Sequence, residues 1–338
     1  MYVKDFHNTE MIGLDLRDRD FGHTNLAGAS LTGSDLSGVS LVGANLYQAN
    51  LTNAKLTAAN LIGADLRGAN LIGAVLTGAN LIGANLTDAD LSNAVLAGAN
   101  LYNARLCWAD LRNADLSNAD LSNADLIHVY AVGANLHGAE LTGADMTVAN
   151  LEGADMRDAV LTNANLPFAV IIRACLVDAV LTNANLRGAE LTGADLTGAY
   201  MRNAGLTEAT LYHTNLTGAC MLEANLSKAN MRRANLINTD MRNADLRDTD
   251  MTGADLTNAR LGNADLRGAL GPFAVGSFGK HTAVAAGGWI QIGCQWETYT
   301  KWIKHGEQIG EEFGYSPEEI ARYRAWVEMA IKWLEEEK

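Results

Sequence analysis

The sequence predicts an all-β solenoid with a small α/β cap at its C-terminal end. Three observations carry this expectation. Every fifth residue from Phe6 to Leu266 is apolar, and 41 of these 53 positions are Leu. A second column, two residues earlier and running from Ala29 to Ala269, is Ala at 43 of 49 positions. No insertion or deletion breaks the frame before Gly271-Pro272. A period of five suits neither a helix, at 3.6, nor an extended strand, at 2. Ala and Leu are nonetheless two apart and point to the same side, as alternate strand residues do. The unit, as in Ala84-Asn85-Leu86-Thr87-Asp88, must then turn, and Gly or Asn at its last position is the permissive residue. Repeated strand and corner wind a tube with the Leu and Ala columns inside. Such a repeat makes one elongated body of a length that would otherwise suggest two or three domains.

Three segments follow in order. In residues 1–24 Lys4, Thr9, Leu14, Arg19 and Thr24 stand where Ala is expected, so this stretch reads as an imperfect N-terminal coil or cap. Residues 25–270 are the regular repeat. Within it Val129 enlarges the Ala position while Ala131 shrinks the next Leu position, a volume swap expected to keep the core filled. Eight of the ten Met residues occupy the Leu column and read as core filler. Residues 271–338 lose the period and hold every Trp except Trp108. Here His281–Ala286 and Trp289–Cys294 flank Gly287-Gly288 as a hairpin, and two helical stretches follow. Ser316, Pro317 and Glu319 form a capping box at the start of the second. An open solenoid end exposes core and strand edges, so this C-terminal segment is expected to cover it.

Composition limits the chemistry. The net charge is -14, of which -11 falls on residues 1–270. An acidic surface argues against direct binding of nucleic acid or anionic membrane and permits a basic protein partner. Cys107, Cys175, Cys220 and Cys294 show no CxxC spacing, so neither a zinc site nor a disulfide framework is signalled. Seven scattered His residues show no HxxxH pair, and no phosphate loop or GxSxG motif occurs. No catalytic residues, cofactor or metal are expected, and the chain reads as non-enzymatic. The start, MYVKDFHNTE, lacks a basic region followed by an apolar run, and no apolar window is long enough to span a bilayer. A cytoplasmic location is the expectation.

The Ala-(Asn/Asp)-Leu-X-(Gly/Asn) unit resembles the pentapeptide repeat family over residues 6–270. The resemblance implies a right-handed quadrilateral β-helix, with four units in each square coil. The repeat then makes about 13 coils and a rod of about 63 Å at ~4.8 Å per coil. The resemblance also implies a width and charge similar to duplex DNA. Some family members bind type II topoisomerases such as DNA gyrase. The DNA-mimicking members are shorter and dimerise through C-terminal helices.

A coil of four units turns the sequence into a surface map. Asp90 stacks with Asp110, and Asp125 with Asp145; Asp110, Asp115, Asp120 and Asp125 put one carboxylate on each face of one coil. Together with Asp88 they form an acidic belt, in which residues 88–125 hold six Asp and only Arg105 and Arg112 as cations. The belt reads either as a solvated face or as an imitation of phosphate rows. Duplex DNA carries a charge per ~1.7 Å, so a rod of this length would need about 37, and imitation is confined to a short central segment. Two apolar columns stand out, Val42, Ile62, Ile82 and Tyr102, and Val160, Val180, Tyr200 and Cys220. They read either as β-propensity on a flat face or as contact surfaces.

In residues 317–336 Ile320, Tyr323, Val327, Ala330, Ile331 and Leu334 share one helical face, expected to pack on the hairpin and close the last coil. Trp326, Met329 and Trp333 form a flank. It is expected to meet a second copy in a two-fold dimer, or else to be buried in the same chain against the helix near Trp302 and Ile309. The leading functional expectation is a DNA mimic acting on DNA gyrase or another basic DNA-binding protein. The alternative is a scaffold in which the rod is a spacer and residues 271–338 dock a partner.

Overall fold

A computed structural model describes residues 4–17, 19–271, 274–278, 281–286, 289–292, 295–312 and 314–336, and side chains are described outside 272–296, Tyr299 and 332–338. Parallel bridges join each bridging residue to its counterpart four units on, in unbroken sequence from Asp5 with Asn25 to Asp250 with Leu270. The chain therefore closes a circuit every four pentapeptides, and each coil lies in register on the next.

The unit 110–114 shows why the period is five. The Asp110 amide donates back to Ala89 O at 2.9 Å, and the Leu111 amide donates forward to Tyr130 O at 2.7 Å. The Asn113 amide also goes forward, to Val132 O at 3.0 Å. The Ala114 amide closes a β-turn on Leu111 O at 3.0 Å. The one amide that neither ladder nor turn uses is that of Arg112, and the Asp110 side chain accepts it at Oδ1 at 3.0 Å. All five donors of the unit are thus satisfied, which a closely stacked backbone requires. Asn serves the same purpose, as when Asn85 Oδ1 accepts the Thr87 amide at 3.1 Å. The third turn residue takes a left-handed conformation, φ 56° at Asn113 and 63° at Gly98. That is the type II turn requirement, and it explains the Gly/Asn column.

Inside the tube Leu and Ala alternate as one continuous core, and nearly every column residue between Leu26 and Met251 is sealed from solvent. Where Thr replaces Ala its hydroxyl donates to a main-chain carbonyl: Thr214 to Leu191 O at 2.8 Å, Thr249 to Leu226 O at 2.9 Å and Thr239 to Leu236 O at 2.7 Å. Buried hydroxyls are tolerated only with such partners. The first coil keeps the bridges but not the seal, since Leu14 and Arg19 are exposed at Ala positions.

Beyond the rod, β1 (Ala274–Phe278), β2 (His281–Ala286), β3 (Trp289–Ile292) and β4 (Gln295–Thr298) form an antiparallel meander in that order. The expected hairpin is its central pair, with Ala286 opposite Trp289. Its second strand ends at Ile292, and Gly287, Gly288 and Cys294 lie outside the described residues. Helices α1 (Tyr299–Glu312) and α2 (Pro317–Glu336) follow. The capping box closes as expected: the Ser316 amide donates to Glu319 Oε2 at 2.8 Å, and the Glu319 amide to Ser316 Oγ at 3.2 Å. The two helices approach so closely that a Cβ on Gly310 would meet Ile320 Cγ1 at 2.5 Å. Helix α2 lies on α1 and on the β1–β2 pair.

Candidate interaction surfaces

The structure brings the acidic residues into the expected columns, with Asp90 bridged to Asp110 and Asp125 to Asp145. Their carboxylates are not free of the fold. Asp90, Asp115, Asp120 and Asp145 each accept the amide two residues on, at 2.9 to 3.0 Å. Asp115 also accepts from Asn135 Nδ2 at 2.9 Å. Asp110 is paired with the Arg112 guanidinium. Burial alone would raise the Asp110 carboxyl, but the Arg112 side chain and amide outweigh it and hold it below the usual carboxylate range. Asp125 accepts from the Cys107 thiol, and partial burial with this bond pushes the thiol up to about 11. Asp88 differs from the rest: it sits at a turn, φ 58°, with its side chain exposed.

Both apolar columns stack as expected. The Gly43, Gly63 and Gly83 amides donate to Ile62 O, Ile82 O and Tyr102 O, and Val160, Val180, Tyr200 and Cys220 are bridged in series. Val42, Ile62, Ile82, Val160 and Val180 are half-buried by their neighbours along the column, while Tyr102 and Tyr200 stand exposed. The helical flank is divided. Trp326, only 5% exposed, is buried in this chain with Trp302, Ile309, Tyr323, Val327 and Ala330. For Trp326 this is the second of the two expected arrangements, burial against the helix of Trp302 and Ile309, and it corrects the first, contact with a second copy: α1 packs closely enough at Gly310 to widen the buried arc of α2. Met329 is 62% exposed, and the Trp333 and Leu334 side chains lie outside the described residues.

One surface was not expected. A single corner column contains Trp108, His128, Val148 and Phe168 in successive coils. Trp108, Val148 and Phe168 are 48%, 40% and 53% exposed. The Trp108 and His128 rings stack at 3.9 Å and 14°. The Phe168 ring lies over Gly188, where a Cβ would come within 2.7 Å of it.

Among the described residues no group of three His, Cys, Asp or Glu is arranged to hold a metal ion, and no helix is long and apolar enough to cross a membrane. A hollow between α1 and α2 is lined by Glu307, Glu311, Ala321 and Glu328, with Arg324 held by Glu307 at 2.8 Å. The observation that decides the family is a family model, pentapeptide repeats (8 copies), which matches overlapping segments from residue 15 to residue 270. The chain belongs to the pentapeptide repeat family.

Solved pentapeptide repeat structures are similar to it. HetL of the cyanobacterium Nostoc sp. strain PCC 7120, involved in heterocyst differentiation regulation, is 28% identical over 79% of this chain and 88% of its own, with a TM-score of 0.23. Rfr23 of the cyanobacterium Cyanothece 51142 is 36% identical over 27% of this chain and 63% of its own, with a TM-score of 0.27. QnrB1, a plasmid-mediated fluoroquinolone resistance protein, is 19% identical over 65% of this chain and 85% of its own, with a TM-score of 0.21. A comparison with curated proteins gives no significant match. Within the pentapeptide unit the acidic belt, apart from Asp88, occupies the turn-capping position, and the unexpected column occupies the left-handed position. The signal for the second was present in the sequence, as Trp, Val and Phe where the repeat elsewhere takes Gly, a polar residue or, at Ala58, alanine.

Proposed function

We propose that this chain is a non-enzymatic, cytoplasmic binding protein, an acidic rod that imitates a short segment of duplex DNA. In this reading the rod is a right-handed, four-sided coil of about 13 turns at ~4.8 Å each. Its partner is DNA gyrase, a related topoisomerase or another basic DNA-binding protein. One observation carries the reading. The turn amide needs only an oxygen acceptor, and Asn85, Asn50 and Asn70 supply it without charge. The fold therefore does not demand Asp at four successive capping positions, 110, 115, 120 and 125. Carboxylates stacked ~4.8 Å apart in successive coils repel, as at Asp90 over Asp110, Asp120 over Glu140 and Asp125 over Asp145, so these stacks raise the energy of the free rod, and a cationic partner relieves it. Asp110 contributes least because Arg112 already pairs with it.

The test is inhibition of gyrase supercoiling by the parent and by the Asp110→Asn, Asp115→Asn, Asp120→Asn, Asp125→Asn variant. The parent should inhibit, more strongly at low salt, and the variant should need about tenfold more protein while melting no lower than the parent. Absence of inhibition over a wide concentration range removes gyrase as the target. Equal potency of the two proteins removes the belt.

The scaffold reading is supported by a different observation. Helices α1 and α2 have an apolar cluster of their own around Trp302 and Trp326, yet Met329 and Ile303 remain exposed. In that reading residues 271–338 dock a partner or a second copy through Met329. Residues 271–338 also cap the rod, and the burial of Leu256, Leu261 and Leu266 in the final coil supports this.

A further inference from the structure

Thirty-one described non-glycine residues have positive φ, and nearly all are Asn, Asp or other polar residues. Only three carry an apolar side chain larger than alanine: Trp108, Val148 and Phe168, with φ of 61°, 57° and 58°. Left-handed backbone is unfavourable for bulky and especially β-branched residues. All three fall on one corner of one coil series, interleaved with His128. The solenoid does not need them there, because the same turn is made by Asn113, Asn118, Asn123 and Asn163 with φ of 55° to 58°. Local backbone strain that the fold does not require concentrates where a site is built.

The side chains project from the corner and still have fixed positions. Trp108 is braced by its stack on His128, and Phe168 by the space left at Gly188. Three coil steps separate them, about 14 Å along the rod. A convex, rigid apolar ridge complements a groove and not a flat surface. Its rim is acidic in balance. Exposed Asp88 precedes Trp108 in the same column, and Asp125 and Asp145 flank the corner, against the single exposed Arg105 in that flanking column. The nearby Arg112 and Arg187 are held by Asp110 and Glu208.

We propose that Trp108, His128, Val148 and Phe168 form a preorganised ridge that inserts into an apolar, Lys- and Arg-rimmed groove of a protein partner. A second copy of this chain is disfavoured because it would bring Asp88, Asp125 and Asp145 against equally acidic surface, and nucleic acid is disfavoured for the same reason. The inference goes beyond DNA mimicry, because imitation of phosphate rows does not itself call for apolar knobs. The triple variant leaves every belt residue in place, so the two readings are tested on separate variants.

The experiment has two stages. A Phe168→p-benzoylphenylalanine variant of the full chain is irradiated in cells, with Asn163→p-benzoylphenylalanine, on a different corner, as control. The protein captured from position 168 is then purified and titrated by calorimetry against the parent and against the Trp108→Asn, Val148→Asn, Phe168→Asn variant. We expect capture at 168 and not at 163. We expect affinity to fall at least about tenfold in the triple variant, as for an interface anchored by buried aromatic groups, and to weaken with salt, because the acidic rim pairs with cations of the partner. The triple variant should melt at or above the parent, because Asn relieves the backbone strain. Capture of a second copy or of nucleic acid, equal capture at 163, salt-independent binding or unchanged affinity each overturns the proposal. A variant melting below the parent also overturns it, by showing that these side chains serve the fold.

Discussion

The exchange of Val129 and Ala131 against the repeat can be tested quantitatively. Together these residues place four side-chain carbons where Ala and Leu would place five. Both are buried, but the seal around them is imperfect: Leu111, Leu126, Val129 and Leu136 are 2%, 3%, 2% and 4% exposed, while the other column residues between Leu26 and Met251 reach 1% at most. The swap thus leaves the core short by about one methylene, worth ~0.8 kcal/mol in transfer alone. Restoring the repeat with Val129→Ala and Ala131→Leu together should stabilise the local coils by about 1 kcal/mol. Each change alone should do the opposite. Val129→Ala deletes two more carbons beside the gap and should cost about 2 kcal/mol. Ala131→Leu forces three carbons into space for one and should cost about 1–3 kcal/mol. The assay is a double-mutant cycle followed by urea unfolding. Native-state hydrogen exchange of the Leu111 and Ala131 amides should accompany it, because a repeat array need not open as one unit. These amides donate to Tyr130 O and Asn150 O, both at 2.7 Å, and report on this coil directly. Additive single effects, or a double variant less stable than the parent, would refute the argument that the two sites share one volume.

The remaining predictions concern the turn carboxylates. Asp115 accepts both the Ser117 amide and Asn135 Nδ2, so Asp115→Ala should cost about 1–3 kcal/mol, whereas Asp115→Asn keeps an acceptor and should be nearly neutral; equal melting of the two variants would show that the side chain does not cap the turn. The Asp15, Asp65, Asp155, Asp245 and Asp265 carboxyls are held below their ordinary value by the arginine two residues on, Asp15 at about 2. A depressed folded value means that this stabilisation is complete above the unfolded value of 3.8 and is lost as pH falls through the folded values. Melting temperature should therefore decline between pH 4 and pH 2, and Arg157→Gln should make the decline shallower; a parent insensitive to acid in this range contradicts it.

Much of the rod was legible because its determinants are periodic. The Leu and Ala columns, the Gly/Asn corner and the cap at Ser316 are local patterns with one physical solution each. The coil length came from family resemblance, and the parallel bridges between residues four units apart bear it out. The capping role of Asn and Asp was not legible, because it depends on which amide the inter-coil ladder leaves unused. The outer strands of the meander were missed because β1 and β4 are only five and four residues long, and the single glycines Gly279 and Gly293 between the strands are a weaker hairpin signal than Gly287-Gly288. The sequence leaves Trp326 between a second copy and burial in its own chain, because a helical wheel does not show how closely a neighbouring helix will pack.

A fold this repetitive changes where functional information can reside. The interior is fixed by two columns, and where Asn or Asp heads the unit its side chain accepts the one amide that ladder and turn leave over, as at 110–114. Consequently the fold is indifferent between Asn and Asp at the capping position and prefers Gly or Asn at the corner. Residues that follow these preferences say nothing about a partner. Departures that cost energy do. Asp110, Asp120 and Asp125 accept repulsion from carboxylates stacked in the neighbouring coil that Asn would avoid, and the Trp108, Val148 and Phe168 corners accept backbone strain that Asn would avoid. The two departures meet in adjacent coils, where Asp125 bridges to Asp145 beside the ridge and Cys107, next to Trp108, donates to Asp125. Independent costs placed side by side are expected of one binding surface and not of two unrelated accidents. If so, the belt and ridge variants should lose the same partner, and their combined effect on affinity should be smaller or larger than additive, because contacting sites couple. Loss of different partners, or strictly additive losses, would separate them.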